Sequence, residues 1–134
     1  MPEHSYAHKS RFEKLSLKPG MRVAVLGFDD GQLAREIEAG LARAPARAAR
    51  GTFDAIFRLI EKPADLALIE RLRARLAPAG ALWLVYRKGK TGPVPERAII
   101  EAILAARLVD NKVISFSETH TATRAVIRLK DRPA

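Results

Sequence analysis

The sequence contains no cysteine, which excludes a disulfide scaffold and any thiolate metal site. It has no apolar run of 18 residues, and Met1-Pro2-Glu3-His4 leads into further polar residues. Neither a membrane-spanning helix nor a signal peptide is expected, so no membrane partner is expected and the cytoplasm is the expected compartment. Aromatic residues are only 6% of the chain and sit mostly inside apolar runs, leaving no platform on which nucleic-acid bases would stack. A Ser/His/Asp order, a Walker loop and a His-Glu-x-x-His pattern are all missing, so a catalytic reading has no acid–base pair to stand on. Internal repeats, heptads and low-complexity tracts are absent as well.

What is present is 48% hydrophobic content over 134 residues, enough for one domain with a real core rather than a disordered basic chain. Lys and Arg number 24 against 15 acidic residues, a formal charge of +9. Discounting is needed here, because 16 arginines and 23 alanines are scattered through segments that read as helices, as a compositional bias would leave them. With no basic helix-turn-helix pattern either, nucleic acid is a secondary partner class.

Met1 to Lys18 is a polar arm with a short helix expected around Ser10 to Leu15, and Lys18-Pro19-Gly20 ends it as a turn. Residues 19–134 then read as a single domain. Arg22 to Phe28 is a short apolar run of the kind a strand buried on both faces requires. From Asp29 the period changes to four: Leu33, Ile37 and Leu41 make one apolar stripe, and Asp29 followed by Gln32 supplies a variant capping box. Pro45 ends that helix, and Ala46 to Thr52 has room for at most one short strand. Phe53 to Ile60 is the second main strand. A helix over Asp65 to Ala77 with Leu68, Leu72 and Leu76 on one face follows, stopped by Pro78-Ala79-Gly80. Ala81 to Tyr86 is the third strand, and Arg87 to Val94 a basic loop broken by glycine and proline. Pro95 to Leu108 reads as a helix with Ile100, Leu104 and Leu108 in register. Lys112 to Ser117 and Thr123 to Lys130 read as a closing hairpin around Glu118 to Ala122. Strands alternating with helices imply right-handed parallel crossovers. The expected fold is an α/β Rossmann-like three-layer sandwich, mostly parallel, with a C-terminal antiparallel hairpin.

Leu17-Lys-Pro-Gly-Met-Arg-Val23 and Leu76-Ala-Pro-Ala-Gly-Ala-Leu-Trp83 resemble the approach to the first strand and the late helix-turn-strand of class I S-adenosylmethionine methyltransferases. Lys18 to Val23, Gly80 to Trp83, the Lys88 to Pro95 loop, Leu108 to Val113 and Ser117-Glu-Thr119 also resemble a bacterial domain-of-unknown-function family of small proteins, over Leu15 to about Leu129. The resemblance implies a truncated methyltransferase-like fold and brings no activity with it. Two departures shape the functional expectation. The Gly-rich turn of those enzymes is reduced to Gly27-Phe-Asp-Asp-Gly31, and the connector Ala44 to Thr52 holds no acid to take the ribose hydroxyls. One or two strands on one side of the sheet are therefore expected to be missing.

Gly27, Asp29, Asp30 and Gly31 stand where a Rossmann-like fold holds its cofactor, although two carboxylates capping a helix would repel a phosphate. Arg58 interrupts an apolar strand and needs a partner, either Asp54 or Glu61, or else an anionic ligand. Arg87, Lys88 and Lys90 follow the third strand and would join Arg58 in an anion site at the carboxyl edge of the sheet, with Glu118 and His120 in the hairpin turn nearby. His4 and His8 have helical spacing but no third ligand, so no metal is expected. The expectation is a small non-catalytic binding or accessory protein without a cofactor, stabilised little by S-adenosylmethionine, with an unknown small molecule or protein as partner. The alternatives are a divergent S-adenosylmethionine-dependent methyltransferase and a basic nucleic-acid-binding protein.

Overall fold

The computed structural model describes residues 14–28, 31–41, 44–48, 50–89 and 92–132. Strand β1 (Val23–Leu26) leads through Gly27 to helix α1 (Gly31–Leu41). Strand β2 (Phe53–Leu59) is followed by a 3-10 turn (Pro63–Ala67) that runs into helix α2 (Leu68–Arg73). Strand β3 (Leu76–Arg87), helix α3 (Glu96–Ala105) and strands β4 (Leu108–Ser115) and β5 (His120–Ile127) complete the order. Most of the helix expected around Ser10 to Leu15 falls outside the described residues. Leu15 and Leu17, at the end of the expected arm, are buried in the core.

One five-stranded sheet has the order β1-β2-β3-β5-β4. The first three strands are parallel, and β5 runs antiparallel to both β3 and β4. Among the described residues the sheet continues beyond β1 only as a single parallel bridge, Ala24 to Ala46. Ala46 donates its N–H to the Val23 carbonyl, and its own carbonyl accepts from Val25 N–H, each at 2.8 Å. The sheet is thus short on this side, as the connector length predicts.

Strand alternation sends successive residues to opposite faces. Val23, Val25, Phe57, Trp83 and Val85 pack with Leu33, Ile37 and Leu41 of α1, so the predicted stripe is the buried one. Ala24, Ile56, Leu82, Leu84 and Tyr86 pack on the other face with Ile69 and Leu72 of α2 and Ile99 and Ile103 of α3. These are the three expected layers.

Three elements differ from the sequence expectation. The second helix is only one 3-10 turn plus Leu68–Arg73; Leu76 belongs to β3, pairing with Phe53. Pro78 and Gly80, read as helix stops, lie instead in a bulge of β3, where the pairing slips between Phe53/Leu76 and Ala55/Ala81. Proline tolerates that position because a bulged residue owes no ladder N–H. In α3 the core stripe is Ile99 and Ile103, one residue earlier than predicted, and Leu104 is half exposed. The helix stops at Ala105, and Arg107, with φ of 63°, turns the chain so that Leu108 enters β4. The closing hairpin begins earlier than predicted as well. Its turn is Phe116 to Thr119, closed by N–H groups of Phe116 and Ser117 on the His120 carbonyl, and His120 already pairs with Arg87.

A Cβ on Gly80 would lie 2.9 Å from the Phe53 carbonyl oxygen and 3.0 Å from that of Ala77, both main-chain atoms that cannot swing aside. Gly80→Ala is expected to cost about 1–3 kcal/mol through forced backbone displacement. A urea midpoint unchanged from the parent would show that the bulge relaxes freely.

Candidate functional site

The carboxyl ends of the three parallel strands share one edge of the sheet, and the loops that follow them carry most of the candidate residues. At the end of β1 the chain turns through Gly27 in the left-handed conformation, φ 80°, which costs glycine little and other residues more. A Cβ there would meet the Arg58 guanidinium, with Nη1 at 2.8 Å. The bare glycine is what lets the arginine lie against the turn. Gly31 opens α1. Asp29, Asp30, Lys90, His4 and His8 lie outside the described residues.

Arg58 sits on β2 opposite Leu26 of β1, on the face covered by α2. Its side chain is 22% exposed and pairs with Asp65, Nη2 to Oδ1 at 3.4 Å. Neither partner weighed from the sequence is used. Asp54 accepts the main-chain N–H of Arg22 at 2.8 Å, and Glu61 contributes only its main-chain N–H, which Asp65 accepts at 2.8 Å. Asp65 also accepts the N–H of Lys62 at 3.1 Å. Burial pushes the Asp65 carboxyl up, but the two main-chain donors and the Arg58 charge outweigh it and hold the group below the ordinary aspartate value. The sequence signal for this role was slight: an acid two residues after Pro63, read as ordinary helix.

Around Arg58 lies a cavity of about 400 Å³. Leu26, Leu68 and Leu72 form its apolar floor, and Arg47, Arg58, Arg71 and Arg75 surround it beside Gly27. Arg47 follows the Ala46 bridge and donates from Nη2 to the Phe28 carbonyl at 3.1 Å, tying the connector to the β1–α1 turn. Arg47, Arg71 and Arg75 were not singled out by sequence. They come from separate segments with no motif among them.

A second cavity, of about 320 Å³, lies at the end of β3, lined by Tyr86, Arg87, Lys88, Gly89, Pro95, Glu96 and Thr121. Here Tyr86 donates its hydroxyl to Glu96 Oε1 at 3.1 Å and shares a 2.7 Å hydrogen bond with the Thr123 hydroxyl. Burial and the Glu96 charge push the Tyr86 phenol up to about 12. Lys88 donates to the Ser115 hydroxyl at 2.7 Å. The His120 ring nitrogen Nδ1 lies 2.7 Å from the Thr119 hydroxyl, and burial, with the charges of Arg87 and Lys88, holds the imidazole below its ordinary value despite Glu61. Glu118 is exposed on the turn with no hydrogen bond or ion pair among the described residues. Arg58 thus lines one cavity while Arg87 and Lys88 line another, and the described cations divide between two sites.

No family model and no curated protein matches the chain. Solved structures do. The tRNA methyltransferase TrmK of B. subtilis superposes with a TM-score of 0.63 at 13% identity, over 91% of this chain and 67% of that one. Magnesium protoporphyrin IX methyltransferase of Synechocystis, with bound S-adenosylmethionine, gives 0.59 at 15% identity over 87% and 74%. Fibrillarin of Aeropyrum pernix, with natively bound S-adenosylmethionine, gives 0.59 at 17% identity over 81% and 67%. The chain has the class I methyltransferase fold. It is a truncated form of that fold, with a Rossmann-like sheet that stops at β1 and the Ala46 bridge. The expectation of a domain without a cofactor is overturned by these neighbours, since methyltransferase folds like this one hold S-adenosylmethionine or, in a second Synechocystis structure, S-adenosylhomocysteine. No described helix of this methyltransferase fold is long and apolar enough to cross a membrane.

Proposed function

We propose that the chain is a divergent S-adenosylmethionine-dependent methyltransferase that binds its cofactor at the carboxyl end of β1, against the Gly27 turn. The observation that carries this reading is the left-handed, side-chain-free turn between β1 and α1, where a ligand would come close to the backbone. The residues present fit the two ends of the cofactor differently. Gly27 suits the methionine portion, and the Arg58 guanidinium held over it would take the carboxylate. Arg47 stands next to the Ala46 bridge, where the resemblance calls for an acid on the ribose hydroxyls, so the ribose would rely on main-chain groups. When bound, S-adenosylmethionine supplies an electrophilic methyl group.

Calorimetric titration with S-adenosylmethionine and S-adenosylhomocysteine is expected to show binding of both. At a hundred times its dissociation constant each should stabilise the fold by about 2.7 kcal/mol, a rise of several degrees in melting temperature. Gly27→Ala should weaken both by about tenfold or more, because the new residue is strained by roughly 1–2 kcal/mol in the left-handed region and displaces Arg58. Failure of both ligands to bind at millimolar concentration would overturn the reading.

A further inference from the structure

We infer that the groove between β1, β2 and α2 binds a small organic polyphosphate, a nucleoside di- or triphosphate being the class that fits. This goes beyond the cofactor reading and does not rest on it; since Gly27 and Arg58 border the same groove, the two ligands would compete there. Four guanidinium groups, those of Arg47, Arg58, Arg71 and Arg75, surround one cavity. Among the described residues a single carboxylate, Asp65, is paired with any of them, and only with Arg58. Among the described residues no carboxylate pairs with the other three guanidinium groups, those of Arg47, Arg71 on α2 and Arg75 in the turn just beyond it. An anion in the groove would neutralise this gathered positive charge. The unpaired charge corresponds in sign and rough number to a di- or triphosphate chain, which arginine binds through parallel N–H donors.

Two further features point to a ligand of this kind. The Nε–H of Arg58 is buried against the Gly27 turn without a hydrogen-bond partner, so the guanidinium keeps donor capacity that its one bond to Asp65 does not use. The cavity, about 400 Å³, is far larger than an inorganic phosphate needs and lies in the range of small-molecule sites, roughly 300–1,000 Å³. Its floor of Leu26, Leu68 and Leu72 offers nothing to phosphate oxygens but would cover the flat body of a nucleoside. S-adenosylmethionine cannot fill this role alone, because its one carboxylate is offset by a sulfonium and an ammonium.

The test is calorimetric titration of the full chain with ADP, ATP, inorganic pyrophosphate and a short single-stranded RNA, at low and high salt. ADP and ATP are expected to bind about tenfold or more tightly than pyrophosphate, with affinity falling as salt rises. The double variant Arg71→Ala/Arg75→Ala should lose tenfold or more in ADP affinity, while its melting temperature and its S-adenosylmethionine titration stay unchanged, both side chains being exposed. In the parent chain, ADP should also protect these two arginines from modification by phenylglyoxal, a measurement that needs no variant. Absence of ADP and ATP binding, equal affinity in the double variant, pyrophosphate binding as tightly as ADP, or RNA binding that ADP does not displace would each overturn the proposal.

Discussion

Trp83→Ala is expected to lower the stability of the domain by about 3–5 kcal/mol, the loss typical of truncating a large buried aromatic. Trp83 is 1% exposed in the middle of β3, facing α1. It lies beside Phe57 of β2 in register, the two rings nearly parallel at an interplanar angle of 3° with centroids 6.1 Å apart. Removing the indole opens a void between the two central strands and α1, and the surrounding strands cannot close it without breaking their ladders. Since domains of this size are typically stable by about 5–15 kcal/mol, the variant should melt many degrees lower and be partly unfolded near 37 °C. Urea unfolding followed by circular dichroism measures this, because the only tryptophan is gone. Trp83→Phe keeps a ring against Phe57 and should recover most of the loss. Equal destabilisation by both variants would show that packing of the ring is not what Trp83 contributes.

Asp65→Ala is expected to cost about 2–3 kcal/mol, less than for a fully enclosed ion pair because Arg58 keeps some contact with solvent. Asp65 is 6% exposed, and its loss would leave the N–H groups of Glu61 and Lys62 and the Arg58 guanidinium without their acceptor. The pH dependence follows from the direction of its shift. The folded-state pKa lies below the ordinary aspartate value near 4, so the unfolded chain takes up the proton first as pH falls. The stabilisation is complete above about pH 4 and disappears as pH falls through the folded value. Urea midpoints of the parent chain measured from pH 7 to pH 3 should therefore drop in the last part of that range. In Asp65→Asn, which has no proton to gain, the curve should start lower and fall less. A parallel fall in both chains would assign the acid sensitivity to other carboxylates.

Much of the architecture was legible because it depends on local pattern. Val23 to Leu26, Phe53 to Leu59 and the core of β3 are short apolar runs, which strands buried on both faces require. The stripe Leu33, Ile37 and Leu41 is buried as its spacing predicts. Where the reading slipped, two patterns competed in one stretch. Leu68, Leu72 and Leu76 keep helical spacing, yet Leu76 pairs with Phe53, so strand pairing overrode local periodicity. Along α3 the apolar residues Ile99, Ile100, Ile103 and Leu104 support two stripes one residue apart, and only packing against the sheet selected Ile99 and Ile103.

Residue spacing and composition alone determined that this is a mostly parallel α/β domain, short on the side of the sheet where the connector Ala44 to Thr52 holds no acid. Tertiary structure alone decided which charges meet. Arg47, Arg58, Arg71 and Arg75 are spread over 29 positions of sequence and converge because β1, β2, the Ala46 bridge and α2 border one groove. Arg58 likewise takes Asp65 rather than Asp54 or Glu61, since the 3-10 turn at Pro63 brings that carboxylate back over the end of β2 and main-chain donors hold it there. The physical reason is range. Periodicity reports on neighbours within a turn or a strand, whereas electrostatic partners are set by how distant segments pack.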